Sequence, residues 1–337
     1  MREKLRWGII GAAGIAVRAV MPAIQASETG MLQAVASRGI DKARAVADKF
    51  GIEQAYGSYE ELLADPNIDA VYIPLPNHLH REWTIRAAEA GKHVLCEKPL
   101  ALTAAEAEEM IDACDKAGVV LAEAFMYRYH PRMEQIRSLI ESGEIGELRA
   151  FRGAFTFNNA GDKGNIRYRE EWGGGGIYDV GCYPLSAARY FMGKEPEAVT
   201  VHALFSPEHG NVDMMASGLA EFPGGVSLTF DCGMWADFRQ NFEIVGTDGR
   251  IEIPHAFIAN GDDAAFDVIT RDGRRTERPA SVNTYTLQVN EFARTVWGEQ
   301  SPSFPADDAA RNMKILEACL ESARGRTRIV LEGDHSR

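Results

Sequence analysis

The apolar positions fall into short continuous runs separated by stretches with helical spacing. Leu5–Ile10, 31–36, 68–73, 93–96 and 119–122 are the runs. Between them, 17–26, 42–50, Tyr59–Leu63, 80–90 and Ala104–Ala117 carry apolar residues three and four apart. Short apolar runs bounded by turn residues read as buried strands, and the longer periodic stretches as amphipathic helices. Gly91 and Gly118 stand where two of these helices stop. Strands alternating with helices give βαβ units and a parallel sheet, which right-handed crossovers make doubly wound.

The pattern changes near Glu123. A helix over 131–142 is followed mainly by strands: 148–157, 198–205, 216–222, 226–234, 242–245, 251–254 and Phe266–Thr270. Phe222-Pro223-Gly224-Gly225 and Thr247-Asp248-Gly249 read as hairpin turns. The second half is therefore an antiparallel α+β domain. Two late helices, 287–297 and 307–323, cover its sheet or return to the first domain. The expected division is 1–124 and 125–337.

With 45% hydrophobic and 25% charged residues, each half has the material for an ordinary core. The net charge of −13 argues against nucleic acid or an anionic membrane as the main partner, but not against a small anion held locally. Cys96, Cys114, Cys182, Cys232 and Cys319 are odd in number and scattered, which argues against a disulfide framework or a zinc site. No apolar run approaches the roughly 18 residues of a membrane span. Met1-Arg2-Glu3-Lys4 leads straight into a strand without a signal-peptide pattern, so a cytoplasmic location is expected.

Two places in the first half carry chemistry. Gly11, Ala12, Ala13, Gly14, Ile15 and Ala16 follow the first strand and open the first helix, where a dinucleotide fingerprint belongs, although Ala13 and Ala16 replace two of its glycines. Ser37 and Arg38, with Lys42 a turn later, end the second strand where an acid would bind the ribose diol of NAD. A hydroxyl and two cations suit a 2′-phosphate instead, so NADP(H) is the expected cofactor. Farther on, Glu97-Lys98-Pro99 closes the strand 93–96, at the sheet edge where α/β proteins bind ligands. Pro99 keeps Lys98 out of helical geometry and is able to hold a cis bond.

In the second half, four glycines, 173–176, precede Ile177-Tyr178-Asp179-Val180-Gly181-Cys182-Tyr183-Pro184. A helix here puts Asp179 and Tyr183 on one face, and Gly181 allows close approach to another backbone. Pro184 removes a helix hydrogen bond, so irregular geometry is expected. Tyr183 becomes an acid/base near neutrality if an ammonium such as Lys98 favours its phenolate. The mixed segment 165–172, with Arg167 and Trp172, offers hydrogen-bonding groups and a flat apolar face of the kind a sugar needs. Tyr127, Arg128 and His130 are expected to face the same substrate.

Gly11 to Ala16, Glu97-Lys98-Pro99, Met126-Tyr127-Arg128-Tyr129-His130-Pro131 and Gly174 to Pro184 together resemble the Gfo/Idh/MocA oxidoreductases. The Tyr-Pro ending is similar to the branch with glucose-fructose oxidoreductase, NADP-dependent xylose dehydrogenases and dimeric dihydrodiol dehydrogenase; inositol dehydrogenase relatives carry His at the position of Tyr183. The resemblance implies an N-terminal Rossmann domain and a C-terminal α+β domain with a large open sheet, whose face makes a homodimer or homotetramer. It implies Lys98 and Tyr183 as the catalytic pair, with Asp179 supporting the substrate hydroxyls. Leu75, Asn77, His80, Glu97, Arg167 and Tyr285 are implied around cofactor and substrate. The expected activity is NADP(H)-dependent oxidation of a sugar or polyol. The alternatives are reduction of a keto- or anhydro-sugar, a trans-dihydrodiol dehydrogenase, and a non-enzymatic NADP sensor, since the family includes a galactose-pathway repressor.

Overall fold

The computed structural model of the chain describes residues 3–259 and 261–331. Met1 and Arg2, and 332–337 at the end of the expected second domain, lie outside the described residues. Two units emerge: one runs to Tyr129 and resumes over Asn283–Ala310, and the other covers His130–Val282 and resumes at Arg311. The sequence placed the first boundary at 124 and kept 283–310 in the second domain; these residues group with the first unit instead.

The first unit holds strands β1 Leu5–Ile10, β2 Gly30–Ala36, β3 Gln54–Tyr56, β4 Ala70–Ile73, β5 His93–Cys96 and β6 Leu121–Glu123, in the order β3-β2-β1-β4-β5-β6. All their pairings are parallel. The helices are α1 Met21–Ala26, α2 Ile40–Phe50, α3 Tyr59–Leu63, α4 His80–Glu89 and α5 Ala104–Ala117. Gly91 and Gly118 end α4 and α5 at φ +70° and +67°, the left-handed conformation glycine adopts without a Cβ penalty. Trp7 and Phe292, 5.1 Å apart, belong to one core that brings in the late helix α8, Thr284–Val296. Helical periodicity locates α8 but does not say which sheet its apolar face covers.

In the second unit, α6 Pro131–Glu141 precedes β7 Leu148–Asn158. There follow α7 Cys182–Met192, β8 Ala198–Ser206, β9 Val212–Phe222, β10 Val226–Gly233, β11 Trp235–Gly246, β12 Gly249–Ile253, β13 Phe266–Thr270 and β14 Gly273–Glu277, and β15 Ile329–Val330 closes the sequence of strands. The strands form a nine-stranded sheet in the order β14-β13-β12-β11-β7-β10-β9-β8-β15. It is antiparallel except at β7 and β10, and both expected hairpins are present. Phe151, Leu228 and Phe242 are buried on one face, whereas Arg152, Thr229 and Asn241 alternate with them and stay exposed on the other. α9, Ala306–Gly325, spans the division between the units at Ala310. No helix among the described residues is long and apolar enough to cross a membrane, and all five cysteines are free and buried.

His130 starts α6: its Nδ1 accepts the N–H of Arg132 at 3.1 Å. Burial, reinforced by the Arg132 cation, lowers its pKa from 6.5 to about 4. A base whose folded pKa is depressed gives stability that is present above 6.5 and lost as pH falls through about 4. His130→Asn keeps a capping acceptor without the proton. We expect the variant to lose less unfolding free energy than the wild type between about pH 7 and about pH 4.5, measured by urea titration. Equal losses would remove His130 from the acid response.

Candidate active site

The strand order reverses between β1 and β4, the point at which open α/β sheets take their ligands. Gly11 leaves β1 at φ +108°, and its N–H bonds Ala36 O at 3.0 Å. A Cβ there would lie 2.8 Å from Leu75 Cδ2, so both the backbone angle and the space require glycine. Ala12, Ala13 and Ile15 are part-exposed and Gly14 is exposed, while Ala16 is buried in the core. The helix opens with a π turn, Ala16–Val20, and only then becomes α1.

At the end of β2, Ser37 is buried and its N–H bonds Tyr56 O at 3.2 Å. Arg38 and Lys42 are exposed, and neither makes an ion pair among the described residues. Arg38 is close enough to Tyr59 to oppose the rise that burial causes in that hydroxyl's pKa. The Tyr59 oxygen lies 3.7 Å from where a Cβ on Gly11 would stand. Arg38 is thus near the glycine turn.

Beyond β5, the Lys98-Pro99 bond is cis, as the sequence allowed. Glu97 N–H bonds Ile73 O at 3.1 Å, and its carboxylate accepts from Tyr72 Oη and, at 3.3 Å, from Lys98 N–H. Tyr285 on α8 belongs to the same group: burial, and then Glu97, push its hydroxyl pKa well up. Lys98, Asn77 and Glu97 are part-exposed at this edge. His80 differs from expectation. It is fully buried, with Nε2 2.8 Å from Leu75 O and Nδ1 3.0 Å from Pro99 O. Burial lowers its pKa against the pull of those carbonyls. It braces two loops and offers no exposed edge to a cofactor.

Arg128 is also corrected. Its guanidinium is only 4% exposed, pairs with Asp308 at 2.7 Å, and lies 4.7 and 4.9 Å from the ring centroids of Phe125 and Phe304. Tyr127 is buried edge-on against Phe125. Both residues serve the interior of the first unit, not an open substrate surface.

In the second unit, the glycine run leads into a π turn, Ile177–Gly181, and then α7, with Pro184 near its start. This is the irregularity expected from Pro184. Asp179 Oδ2 accepts from Arg167 Nε at 2.6 Å. Arg167 also senses Tyr183, so the three form one group; Asp179 raises the Arg167 pKa above its ordinary value. The Tyr183 ring packs 5.0 Å from Phe155 and 5.3 Å from Phe257. Trp172 is half-buried with Arg169 over its ring, and Glu170 pairs with Arg324. Gly181 approaches the side chain of Cys232; it is Gly176 whose Cβ would meet a backbone, 2.8 Å from Gly233 Cα.

Sequence reasoning missed Asp213. It is buried on β9 and accepts the Ile177 N–H at 2.6 Å. Its one signal was an acid in the otherwise apolar start of β9, Val212-Asp213-Met214-Met215.

This combination, a parallel sheet with a glycine turn at its switch point and an acid–tyrosine helix on an antiparallel sheet, belongs to a two-domain nucleotide-dependent oxidoreductase. A family model described as "Oxidoreductase family, NAD-binding Rossmann fold" matches residues 5–125, and one described as "GFO/IDH/MocA C-terminal domain" matches 133–252. The chain belongs to the GFO/IDH/MocA oxidoreductase family. It is 41% identical to D-xylose 1-dehydrogenase (NADP(+)) 2 of Haloferax volcanii, over 95% of this chain and 97% of that one. It is similar to the crystal structure of a 3-ketoreductase from Actinomadura kijaniata in complex with NADP and TDP-benzene, with 32% identity, TM-score 0.90, and 95% and 98% of the two chains covered. It is likewise similar to an aldose-aldose oxidoreductase from Caulobacter crescentus complexed with glycerol, with 29% identity, TM-score 0.91, and 98% and 100% covered.

Proposed function

We propose that the protein is an NADP(H)-dependent dehydrogenase of a neutral sugar or small polyol, with Lys98 and Tyr183 as its catalytic pair. The observation that carries the reading is the Arg167–Asp179–Tyr183 group, with Asp179 and Tyr183 on one helix start and Arg167 bonded to Asp179 from a separate turn, a tyrosine supplied with a charged, hydrogen-bonding neighbourhood. The first unit suits the cofactor. Its glycine turn leaves room that a Cβ would fill, and Arg38 and Lys42 stand unpaired where a 2′-phosphate would bind. Nicotinamide, when bound, accepts or supplies the hydride. Tyr183 takes the proton of the alcohol as its C–H hydride leaves, so that the carbinol becomes a carbonyl. Lys98 favours the phenolate, and Asp179 holds a neighbouring hydroxyl. Likeness to a xylose dehydrogenase supports oxidation, while likeness to a 3-ketoreductase supports the same chemistry in reverse on a keto-sugar.

Self-association through the open face of the nine-stranded sheet is part of this reading. That face has a shallow depression of about 570 Å³ lined by Arg152, His202, Ser217, Thr229, Asp231 and Arg239. Thr229→Arg, at its middle, is expected to reduce the mass seen by light scattering to that of one chain; an unchanged multimer would remove this face from the interface.

Arg38→Ala is expected to weaken NADPH binding by about 1.5–3 kcal/mol, the scale of a charge-assisted hydrogen bond, and to leave NADH nearly unchanged. Fluorescence titration of both cofactors checks it; equal losses would show that Arg38 does not read the phosphate.

Tyr183→Phe and Lys98→Met are each expected to reduce kcat by about 10²–10⁴-fold with NADPH still bound. The double variant should cost far less than the product of the two. The assay is a panel of aldoses, inositols, keto-sugars, anhydro-sugars and dihydrodiols with both cofactors. Turnover confined to dihydrodiols would discard the sugar and keep the hydride transfer; full activity in Tyr183→Phe would discard the pair.

A further inference from the structure

The glycine run is shaped around a carboxylate that the chain itself provides. Asp213 is 1% exposed. Its oxygens accept N–H groups from Ile177, Gly176 and its own residue. Gly175 sits at φ +113°, and a Cβ there would collide with Asp213 Oδ1. A Cβ on Gly174 would strike the carbonyls of Arg167 and Arg169. The first N–H groups of a helix lack partners within it and favour negative charge. Here that charge is Asp213.

The connection to the site is direct. Gly175, which touches the carboxylate, has its own carbonyl taken by the N–H of Asp179 at 3.1 Å. Gly175 N–H bonds Arg167 O at 3.0 Å, so the turn also fixes the backbone of the arginine that holds Asp179. Tyr183 follows one helical turn later. We propose that Asp213 is a positioning residue: its carboxylate, gripped by the glycine turn, sets the helix start that presents Asp179 and Tyr183. The proposal rests on the reading that Tyr183 exchanges the substrate proton.

The surroundings make this charge isolated and adjustable. Cys232 on β10 and Cys319 on α9 face it, and burial pushes both thiols well up, so they stay neutral. Arg324 on α9 is the cation within range, and it is bonded to Glu170. Burial pushes the Asp213 pKa up to about 7, against the N–H groups that favour the ion. Protonation turns one acceptor oxygen into a donor facing N–H donors. The seat should therefore loosen as pH falls through about 7.

The test is Asp213→Asn in the full-length enzyme with NADPH and the sugar found by the panel. The amide keeps the shape but sets an NH₂ against the backbone donors. We expect kcat to fall about 10²-fold, as small misplacements of reacting groups do, with KM for the sugar and Kd for NADPH within about twofold. The acid limb of kcat near pH 7 should disappear. Wild-type kcat in Asp213→Asn beside an inactive Tyr183→Phe overturns the proposal and leaves the Tyr183 reading in place. An active Tyr183→Phe overturns that reading, whatever Asp213→Asn does. Parallel losses in melting temperature, KM and Kd reduce Asp213 to a fold residue and overturn the proposal. If Asp213→Asn does not fold, Gly175→Ala disturbs the same contact from the other side: a loss confined to kcat supports the proposal, and an unchanged kcat overturns it.

Discussion

One imidazole holds the working edge of the parallel sheet together. β4 and β5 are neighbours, and the loops after them diverge towards Leu75 and towards Lys98-Pro99. His80, sealed from solvent, lies within hydrogen-bonding distance of a carbonyl from each loop. Leu75 contributes twice: its carbonyl meets His80, and its side chain closes over Gly11. The glycine turn after β1 and the lysine turn after β5 are therefore linked through Leu75 and His80. A neutral imidazole has one N–H, so it donates to one of these carbonyls and packs against the other. A buried polar group without a partner costs about 1–3 kcal/mol, so withdrawing the accepting loop leaves that N–H unsatisfied. Lys98 thus starts from a backbone fixed before any ligand arrives. The same coupling explains how a degenerate fingerprint is tolerated: Gly11 is required by space, while Ala16 packs into the core as a small apolar residue.

The second unit reaches the same end by another route. Its site helix is seated by glycines that let chain segments meet without side chains between them. The aromatic side is equally determined. Phe155 and Phe257 stack nearly parallel, 5.6 Å apart, and Tyr183 packs against both. The loop carrying Phe257 is anchored by Arg132, a buried guanidinium that donates to the carbonyls of His255 and Ala256 at 2.7 and 2.6 Å. Burial lowers the Arg132 pKa to about 10. A charge held by carbonyl dipoles rather than by an acid costs desolvation, and the return is a fixed loop beneath the tyrosine ring.

What the sequence revealed follows from how many faces each element buries. The inner parallel strands β1, β4 and β5 are largely buried and appear as apolar runs. β3 and β14 lie at sheet edges, with β3 part-exposed and β14 almost wholly exposed, and were missed; Gly273–Glu277 contains no apolar residue. The first half of β11 is mostly exposed although it contains Trp235 and Phe238, so no buried alternation marked its start. At the site, Lys98, Asp179 and Tyr183 were legible because their neighbours in sequence form the motif. Asp213 was not, because its partners are the glycines near position 175. Arg128 was misread for the same reason: its acid, Asp308, is remote in sequence. Local pattern identifies an element, but the use made of a charge depends on residues that only the fold brings near.

That distinction separates arginines that are spent from those that remain available. Acids outnumber bases 49 to 36 in this chain, so an exposed cation has many carboxylates to choose from. Arg6, Arg86, Arg137, Arg250 and Arg274 each find one. Arg38 and Lys42 do not, although both are exposed and close in sequence. Ion pairs at the surface contribute little, about 0–1 kcal/mol, so the unpaired state of these two is not itself a large cost. What it leaves is a local positive potential on an acidic protein, at the mouth of the glycine turn. An anionic group arriving there displaces only water. Arg128, by contrast, is buried and would have to leave a part-buried carboxylate and two aromatic rings before it could bind anything, and breaking a buried pair costs up to about 3–5 kcal/mol. Of Arg38 and Arg128, both named from the sequence alone, Arg38 is therefore the one free to read a ligand, and Arg128 has been committed to the fold.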